Sequence, residues 1–439
     1  MRPIVFLFCL SVTLVGLFSS CATQRLITNK ERKTLHQQIS ESAVFNRGFT
    51  GFQLYDPTSK TVVYERYADR YFTPASTTKI ITYYAASRLL GDSIPTFRYV
   101  NRGDSLLFWG TGDPTLFHPH FDQNPAIQRL LNQSEHPLFY STQHFQQDRY
   151  GAGWMWDDYP YYFQVELAPM PIYGNYIRVQ GAPESRSFSI TPSYFTNRVN
   201  NTPELGGRTA RFYRQLDQNL IDYNEQPVGK KELDRALPFI YSDTLFLTLL
   251  KDSIQRPVQL LTDVALPSNG YQTIHNVPKD TVLRRIMFQS DNFLAEQMVL
   301  LCGHELTDTL QTNLAIRRIV DSLFTDSPDP LKWRDGSGLS RYNQFTPRTL
   351  VYVLEKIYRD LPATVWKRDF SVGGSGRSFQ PYLFGKTGSM SQVRCYGGFV
   401  ETQSGKTLIF SFMNSNLPTG HSPWNEEIDK VLRWVHQNL

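Results

Sequence analysis

A serine and a lysine three residues apart could supply a nucleophile and its base. Ser76 and Lys79 begin a stretch that runs to Leu90, in which apolar residues recur at helical spacing and Pro74 suits a helix start. On a helix this spacing places both side chains on one face. A lysine can take a serine proton only when its amine is neutral, and burial or a nearby cation lowers the pKa accordingly. Many helices carry Ser-x-x-Lys with a solvated lysine, so the motif needs support.

A second polar group separates two apolar segments of helical pattern. Ser290, Asp291 and Asn292 lie between residues 282–287 and 293–300. Such residues are also typical of a helix N-cap. The pattern therefore predicts a polar loop between two helices and leaves both its functional and its capping use open.

A third motif follows a strand-like segment near the end of the chain. Lys386, Thr387 and Gly388 follow Leu383 and precede Ser389, after which another strand is predicted. One interpretation is a surface turn that uses the glycine for a tight backbone. The other is an edge strand whose glycine lets a substrate backbone lie close, while the lysine holds a carboxylate.

The three motifs occur together and in the order known from penicillin-binding proteins and class A β-lactamases. Two further segments strengthen the match: Asp-Gly-Ser-Gly-Leu-Ser-Arg at 335–341 and Gly-Thr-Gly-Asp-Pro-Thr-Leu at 110–116. With these, nearly the whole chain after about residue 45 resembles the D-alanyl-D-alanine carboxypeptidase/endopeptidase family. These are low-molecular-mass class C penicillin-binding proteins with domains inserted between the first two motifs.

The resemblance implies a role for each motif residue. It makes Ser76 the nucleophile, Lys79 the general base and Lys386 the anchor for the substrate's terminal carboxylate. Ser290 and Asn292 would relay protons and hold the substrate. The backbone N–H groups of Ser76 and Ser389 would form the oxyanion hole. Thr387 and Gly388 belong to the same substrate-binding strand, and Ser389 stands where the family often has threonine. No metal or other cofactor is implied.

The resemblance also implies the partners of the protein. These are peptidoglycan stem peptides as substrates and β-lactam antibiotics as covalent inhibitors, and carboxypeptidase and endopeptidase action both stay open. A serine β-lactamase is one alternative, but no Glu-x-x-Leu-Asn segment lies between Ser290 and Lys386. A catalytically silent peptidoglycan-binding lipoprotein is another, and the intact motif residues argue against it.

The elements that position these motifs predict an α/β fold. Residues 46–94 and 271–439 are expected to form a penicillin-binding-protein or serine β-lactamase-like transpeptidase fold, an antiparallel sheet flanked by helices. Residues 95–270 are expected to form a largely β insertion. The supporting patterns are a hairpin over 51–67, helices over 281–302, 310–323, 346–361 and 424–439, and strands over 383–386, 393–400 and 407–414.

The N-terminus predicts export. Arg2, an apolar run to Phe18 and small residues before Cys21 form the layout of a signal peptide over residues 1–20. The apolar run is shorter than the roughly 20 residues of a spanning helix. Cys21 resembles the lipidated cysteine of bacterial lipoproteins, although plain cleavage is an alternative. We therefore expect a tether over residues 21–45 and a periplasmic lipoprotein attached to the membrane.

Composition excludes several other classes. The 439 residues carry a formal net charge of only +5, without a dense basic run, so no nucleic-acid partner is expected. The nine histidines form no His-Glu-x-x-His pattern, so no zinc site is expected. Beyond Cys9 and Cys21 only Cys302 and Cys395 remain, which cannot build a disulfide framework, and whether they pair stays open.

Overall fold

The computed structural model describes residues 27–262, 264–371, 380–418 and 420–439. Across these ranges no helix is both long and apolar enough to cross a membrane. The expected signal peptide of residues 1–20 and the expected lipidation site Cys21 lie outside the described residues.

Helices and strands are mixed along the chain. The helices are α1 (Asn29–Ser40), α2 (Lys79–Leu89), α3 (Pro125–Gln133), α4 (Asp243–Ile254), α5 (Lys279–Gln289), α6 (Asn292–Thr307), α7 (Thr312–Leu323), α8 (Pro347–Asp360), α9 (Ala363–Asp369) and α10 (Ser422–Asn438). The strands are β1 (Phe49–Asp56), β2 (Thr61–Arg66), β3 (Ser93–Arg102), β4 (Ser105–Gly110), β5 (Leu138–Ser141), β6 (Tyr176–Gly181), β7 (Ser189–Thr191), β8 (Val199–Asn201), β9 (Phe212–Arg214), β10 (Ile221–Tyr223), β11 (Leu233–Pro238), β12 (Val258–Leu261), β13 (Gln272–Pro278), β14 (Leu383–Met390), β15 (Val393–Glu401) and β16 (Thr407–Ser415).

Both ends of the chain build one antiparallel sheet of order β14-β15-β16-β1-β2. The expected hairpin is the β1-β2 pair. Residues of α2, α5, α6 and α8 form a large apolar core with one face of this sheet. Residues of α1 and α10 form a second core with the other face. The predicted α/β class, an antiparallel sheet flanked by helices, is confirmed.

The first helix belongs to this folded unit. Leu35 and Ile39 lie four residues apart on one face of α1, and both are fully buried in the core that contains Trp424 and Val431. Thr28 caps the helix in a reciprocal capping box with Glu31. The tether expected over residues 21–45 therefore does not extend through this helix, because its apolar face covers the sheet.

The segment between β2 and α5 contains the insertion with its own core. One sheet has the order β12-β5-β4-β3-β13, and two three-stranded sheets have the orders β11-β6-β7 and β8-β10-β9. Phe97, Leu131 and Phe246 are buried between these sheets and the helices α3 and α4. The sheet extends past the expected boundary at residue 270, because β13 pairs antiparallel with β3.

Candidate active site

Ser76 lies in a tight turn that leads into α2. Residues Ala75–Thr78 form a short 3-10 helix rather than the first α-helical turn expected there. Ala75 has a φ of 47°, a left-handed conformation that a non-glycine residue adopts at a cost. The hydroxyls of Thr77 and Thr78 donate to the carbonyls of Pro74 and Ala75 at 2.7 and 2.9 Å, which fixes the turn.

The Lys79 amine contacts three oxygens. Nζ lies 3.1 Å from Ser76 Oγ, and it donates to Asn292 Oδ1 at 2.6 Å and to the Ser337 carbonyl at 2.8 Å. The side chain is fully buried, and this burial lowers its pKa to about 8, against the opposing effect of nearby carboxylates. A neutral amine has two N–H donors and one lone pair, so donation to Asn292 and Ser337 directs the lone pair at Ser76.

The break between α5 and α6 presents the second motif. Ser290 ends α5 with a φ of 58°, and Asp291 caps α6 by accepting the Leu294 N–H at 3.1 Å. The capping interpretation therefore applies to Asp291. Asn292 is the first residue of α6, and its Nδ2 donates to the Phe163 carbonyl of the insertion at 2.9 Å. From the sequence, Asn292 is expected, as part of this motif, in a loop between two helices, whereas the structure has it in the first turn of α6 and in contact with Lys79.

The third motif lies inside β14, which continues to Met390 instead of ending at Lys386. The reason is its pairing with β15, which runs as far as Met390 opposite Val393. The Lys386 amine is buried and donates to the Thr387 carbonyl at 2.9 Å. Burial, followed by the positive charges of Lys79 and Arg394, holds the pKa of Lys386 well below its ordinary value.

Gly388 brings β14 against the turn that carries Ser76. A Cβ at this position would lie 2.5 Å from the Pro74 carbonyl oxygen and 2.9 Å from the Ser76 backbone nitrogen. The next residue, Ser389, is exposed, and its hydroxyl accepts a hydrogen bond from the Arg394 guanidinium. The close approach of β14 to the Ser76 turn therefore depends on the missing side chain of Gly388. From the sequence, this glycine is expected to admit a substrate backbone, and that use stays a prediction.

These elements border a cavity of about 600 Å³. Ser76, Ser290, Asn292 and Ser389 all line it, so the structure brings together four of the residues that the sequence singled out. Lys386 and Thr387 lie beneath this surface, within β14. The insertion forms another wall, and its contributions include Asp158, Tyr162, Phe163, Val165 and Tyr176.

Comparison with known proteins gives the family of the chain. The model of the D-Ala-D-Ala carboxypeptidase 3 (S13) family matches residues 32–438. The chain belongs to this family. The activity predicted from the three motifs, that of a serine-type D-alanyl-D-alanine carboxypeptidase, is thereby confirmed.

Two similar relatives are D-alanyl-D-alanine carboxypeptidases from bacteria. The D-alanyl-D-alanine carboxypeptidase of Actinomadura sp. (strain R39) is 24% identical over 480 residues, covering 94% of this chain and 85% of that protein. D-alanyl-D-alanine carboxypeptidase DacB of Haemophilus influenzae is 24% identical over 412 residues, covering 84% and 86%. The crystal structure of penicillin binding protein 4 (dacB) from H. influenzae has a TM-score of 0.70 at 19% identity, covering 94% of this chain and 100% of that chain. The fold is therefore that of this penicillin-binding protein.

A buried glutamate positions the loop that accepts from Lys79, and the sequence reasoning missed it. Glu296 of α6 accepts the Gly336 and Ser337 backbone N–H groups at 2.8 Å each. Burial, with the nearby Asp335 carboxylate, raises the pKa of Glu296. Its signal was a single acidic residue within the mainly apolar stretch 293–301.

Asp335 organises the rest of that loop. Its carboxylate accepts the Gly338 N–H at 2.8 Å, the Asn343 side-chain amide at 2.7 Å and the Trp154 indole N–H at 3.0 Å. Gly338 has a φ of 84°, and a Cβ there would overlap the Ala75 carbonyl. The segment 335–341, noted in the sequence only as a family signature, thus packs directly on the Ser76 turn.

Residues 27–262, 264–371, 380–418 and 420–439 contain no cluster of three or more His, Cys, Asp or Glu side chains that could hold a metal ion. Cys302 and Cys395 are both buried and free, which answers the open question of their pairing.

Proposed function

We propose that the enzyme hydrolyses peptidoglycan stem peptides ending in D-alanyl-D-alanine through an acyl-enzyme on Ser76. The observation that carries this proposal is the three-way contact of the buried Lys79 amine. Asn292 and the Ser337 carbonyl accept two of its hydrogens, so the remaining position faces Ser76 Oγ at 3.1 Å. A pKa near 8 leaves a useful neutral fraction at neutral pH.

The reaction then proceeds in two halves. Lys79 takes the Ser76 proton while Oγ attacks the penultimate D-alanyl carbonyl, and the backbone N–H groups of Ser76 and Ser389 stabilise the oxyanion. The peptide C–N bond breaks, and the leaving amine receives a proton by way of Lys79 and Ser290. Water then attacks the ester and restores the serine. The leaving amine is a terminal D-alanine in a carboxypeptidase and a cross-linked residue in an endopeptidase.

We propose that Lys386 holds the terminal carboxylate. Lys386 lies in β14 two positions before Gly388 and is only 4% exposed, so its charge would act on the substrate from below the cavity surface. Burial and the Lys79 charge disfavour its protonated form. A substrate carboxylate near the amine would favour the protonated form of Lys386, so substrate binding and protonation of Lys386 would be coupled.

Digestion of purified peptidoglycan, followed by mass analysis of the products, tests the function. With the wild-type enzyme we expect loss of one D-alanine per stem peptide, loss of cross-links, or both. With the Ser76→Ala variant we expect the peptidoglycan to stay unchanged. Unchanged peptidoglycan after incubation with the wild-type enzyme would contradict the proposal. So would full activity of Ser76→Ala.

We propose that β-lactams acylate the same serine and leave slowly. A β-lactam amide resembles the D-alanyl-D-alanine terminus, and its opened ring stays attached where water must enter. No Glu-x-x-Leu-Asn segment like that of class A β-lactamases lies between Ser290 and Lys386. Rapid return of the protein to its unmodified mass, with hydrolysed penicillin accumulating, would instead support a β-lactamase.

We further propose export to the periplasm and lipid attachment at Cys21. The apolar run that ends in Ser19, Ser20 and Cys21 motivates this proposal. The Cys21→Ser variant should lose incorporation of labelled fatty acid and shift from the membrane to the soluble fraction in the native host. Membrane fractionation of both forms without label in either would contradict the lipid anchor.

A further inference from the structure

A second cavity of about 600 Å³ adjoins the active-site cavity on the insertion. The two share His120, Tyr162, Tyr176 and Ala236 in their linings, so they form one continuous groove. The second part is bordered by β6, β9 and β11 and by the loop 160–162. A substrate with its scissile bond at Ser76 would therefore have room to extend over the insertion.

The lining of this second cavity is rich in accessible tyrosines. Tyr161, Tyr162 and Tyr213 expose 47%, 69% and 39% of their surface, so three large rings in one lining are accessible to a ligand. The Tyr161 ring stacks on Phe163, with ring centroids 5.6 Å apart and planes 7° apart, so its orientation is set by the protein. Grouped exposed aromatics beside a groove are a sign of a ligand surface.

The charges in this cavity are balanced. Arg178 donates to the Asp234 carboxylate through two hydrogen bonds of 2.7 and 2.6 Å. Arg235 and Glu232 add one charge of each sign, and the Arg235 guanidinium lies 5.8 Å from the Tyr213 ring centroid. A lining of this kind offers the planar hydrogen-bonding groups of arginine and carboxylate side chains. It lacks the net positive charge that would attract a polyanion.

We propose that this second cavity binds the carbohydrate part of peptidoglycan. Pyranose rings have an apolar C–H face, which stacks on tyrosine, and a rim of hydroxyl and acetamido groups, which suits the Arg178 and Asp234 pair. The stem peptide is joined to an amino sugar, so a peptide held at Ser76 carries its sugar along the same groove. This inference rests on the proposed function and extends it from the peptide to the glycan.

A pair of substrates separates the glycan from the peptide. A disaccharide-linked pentapeptide and the same pentapeptide without sugar would be assayed with the full-length wild type and with Tyr213→Ala. The variant should raise KM about tenfold for the sugar-linked substrate and leave KM for the free peptide within about twofold. Tyr213→Phe keeps the ring and should restore the KM of the wild type. Tyr67→Ala removes a tyrosine that is 52% exposed on the β1-β2 side and serves as the control.

The outcomes distinguish the two proposals. If the wild type cleaves neither substrate, the proposed function fails. If it cleaves both and Tyr213→Ala leaves both KM values unchanged or raises both equally, the glycan site is wrong and the peptidase function stands. Should Tyr213→Ala not fold, Tyr161→Ala makes the same test. In addition, a peptide-free tetramer of N-acetylglucosamine should bind the wild type more tightly than Tyr161→Ala by about tenfold. Equal affinities would overturn the proposal.

Discussion

Adding a single methyl group at Gly388 should disable acylation while the protein stays folded. The new Cβ would lie 2.5 Å from the Pro74 carbonyl oxygen and 2.9 Å from the backbone nitrogens of Ser76 and Thr77. All three are main-chain atoms, so β14 or the Ser76 turn must shift to accommodate it. The N–H group of Ser76 is one proposed oxyanion donor, and its displacement separates it from the donor at Ser389.

The expected size of the effect follows from these contacts. Overpacking in a well-packed region costs about 1–3 kcal/mol of stability. Loss of one oxyanion donor lowers turnover by about 100-fold to 1000-fold. Gly388→Ala should therefore keep most of the free energy of unfolding and lose most of the rate.

Two measurements check Gly388→Ala. The second-order rate of labelling by a fluorescent penicillin reports acylation, and urea unfolding reports stability. Gly91→Ala is the matched control, because no atom lies within 4 Å of a Cβ built there, and its stability should change by less than about 0.5 kcal/mol. A labelling rate within about threefold of the wild type for Gly388→Ala would refute the assignment of this strand to the oxyanion hole.

Three further predictions concern the charged groups of the site. The acylation rate should rise with pH to a plateau above the Lys79 pKa of about 8, because only the neutral amine accepts the Ser76 proton; a rate independent of pH across that value would contradict the general base. Glu296→Gln replaces one of two carboxylate acceptors by an amide donor facing a backbone N–H, so it should lower the free energy of unfolding by about 2 kcal/mol in urea titrations; an unchanged midpoint would contradict the bonding described. Lys386→Ala should slow cleavage of a peptide ending in a free carboxylate far more than cleavage of its C-terminal amide; an equal loss on both would remove the anchor role.

Local patterns predicted most elements around the site. Thr346 and Pro347 begin α8 as expected, since the Thr346 hydroxyl accepts the Thr349 N–H and proline suits the first helical turn. The polar triplet at 290–292 separates α5 from α6 because Asp291 caps the second helix. The extent of β14 was not predicted, since its polar, glycine-containing end becomes a strand only through pairing with β15.

The spacing of Ser76 and Lys79 predicted their contact, but the residues that hold Lys79 in place were not all predicted. Because Ser76 and Lys79 are three residues apart in a helix-like turn, their side chains meet, and the motif alone predicts this contact. The Ser337 carbonyl reaches Lys79 from 258 positions along the chain. The identity of a residue does not show that its backbone carbonyl accepts a hydrogen bond. Glu296, which holds that backbone, is recognisable in sequence only as an acidic residue in the mainly apolar stretch 293–301.

The most direct test of the central claim is the intact mass of the enzyme after brief exposure to benzylpenicillin, followed by peptide mapping. We expect one long-lived adduct on the wild-type chain, located in the peptide that contains Ser76. The Ser76→Ala and Lys79→Ala variants should show none on the same timescale. An adduct in any other peptide, or one that persists in Ser76→Ala, would contradict the account.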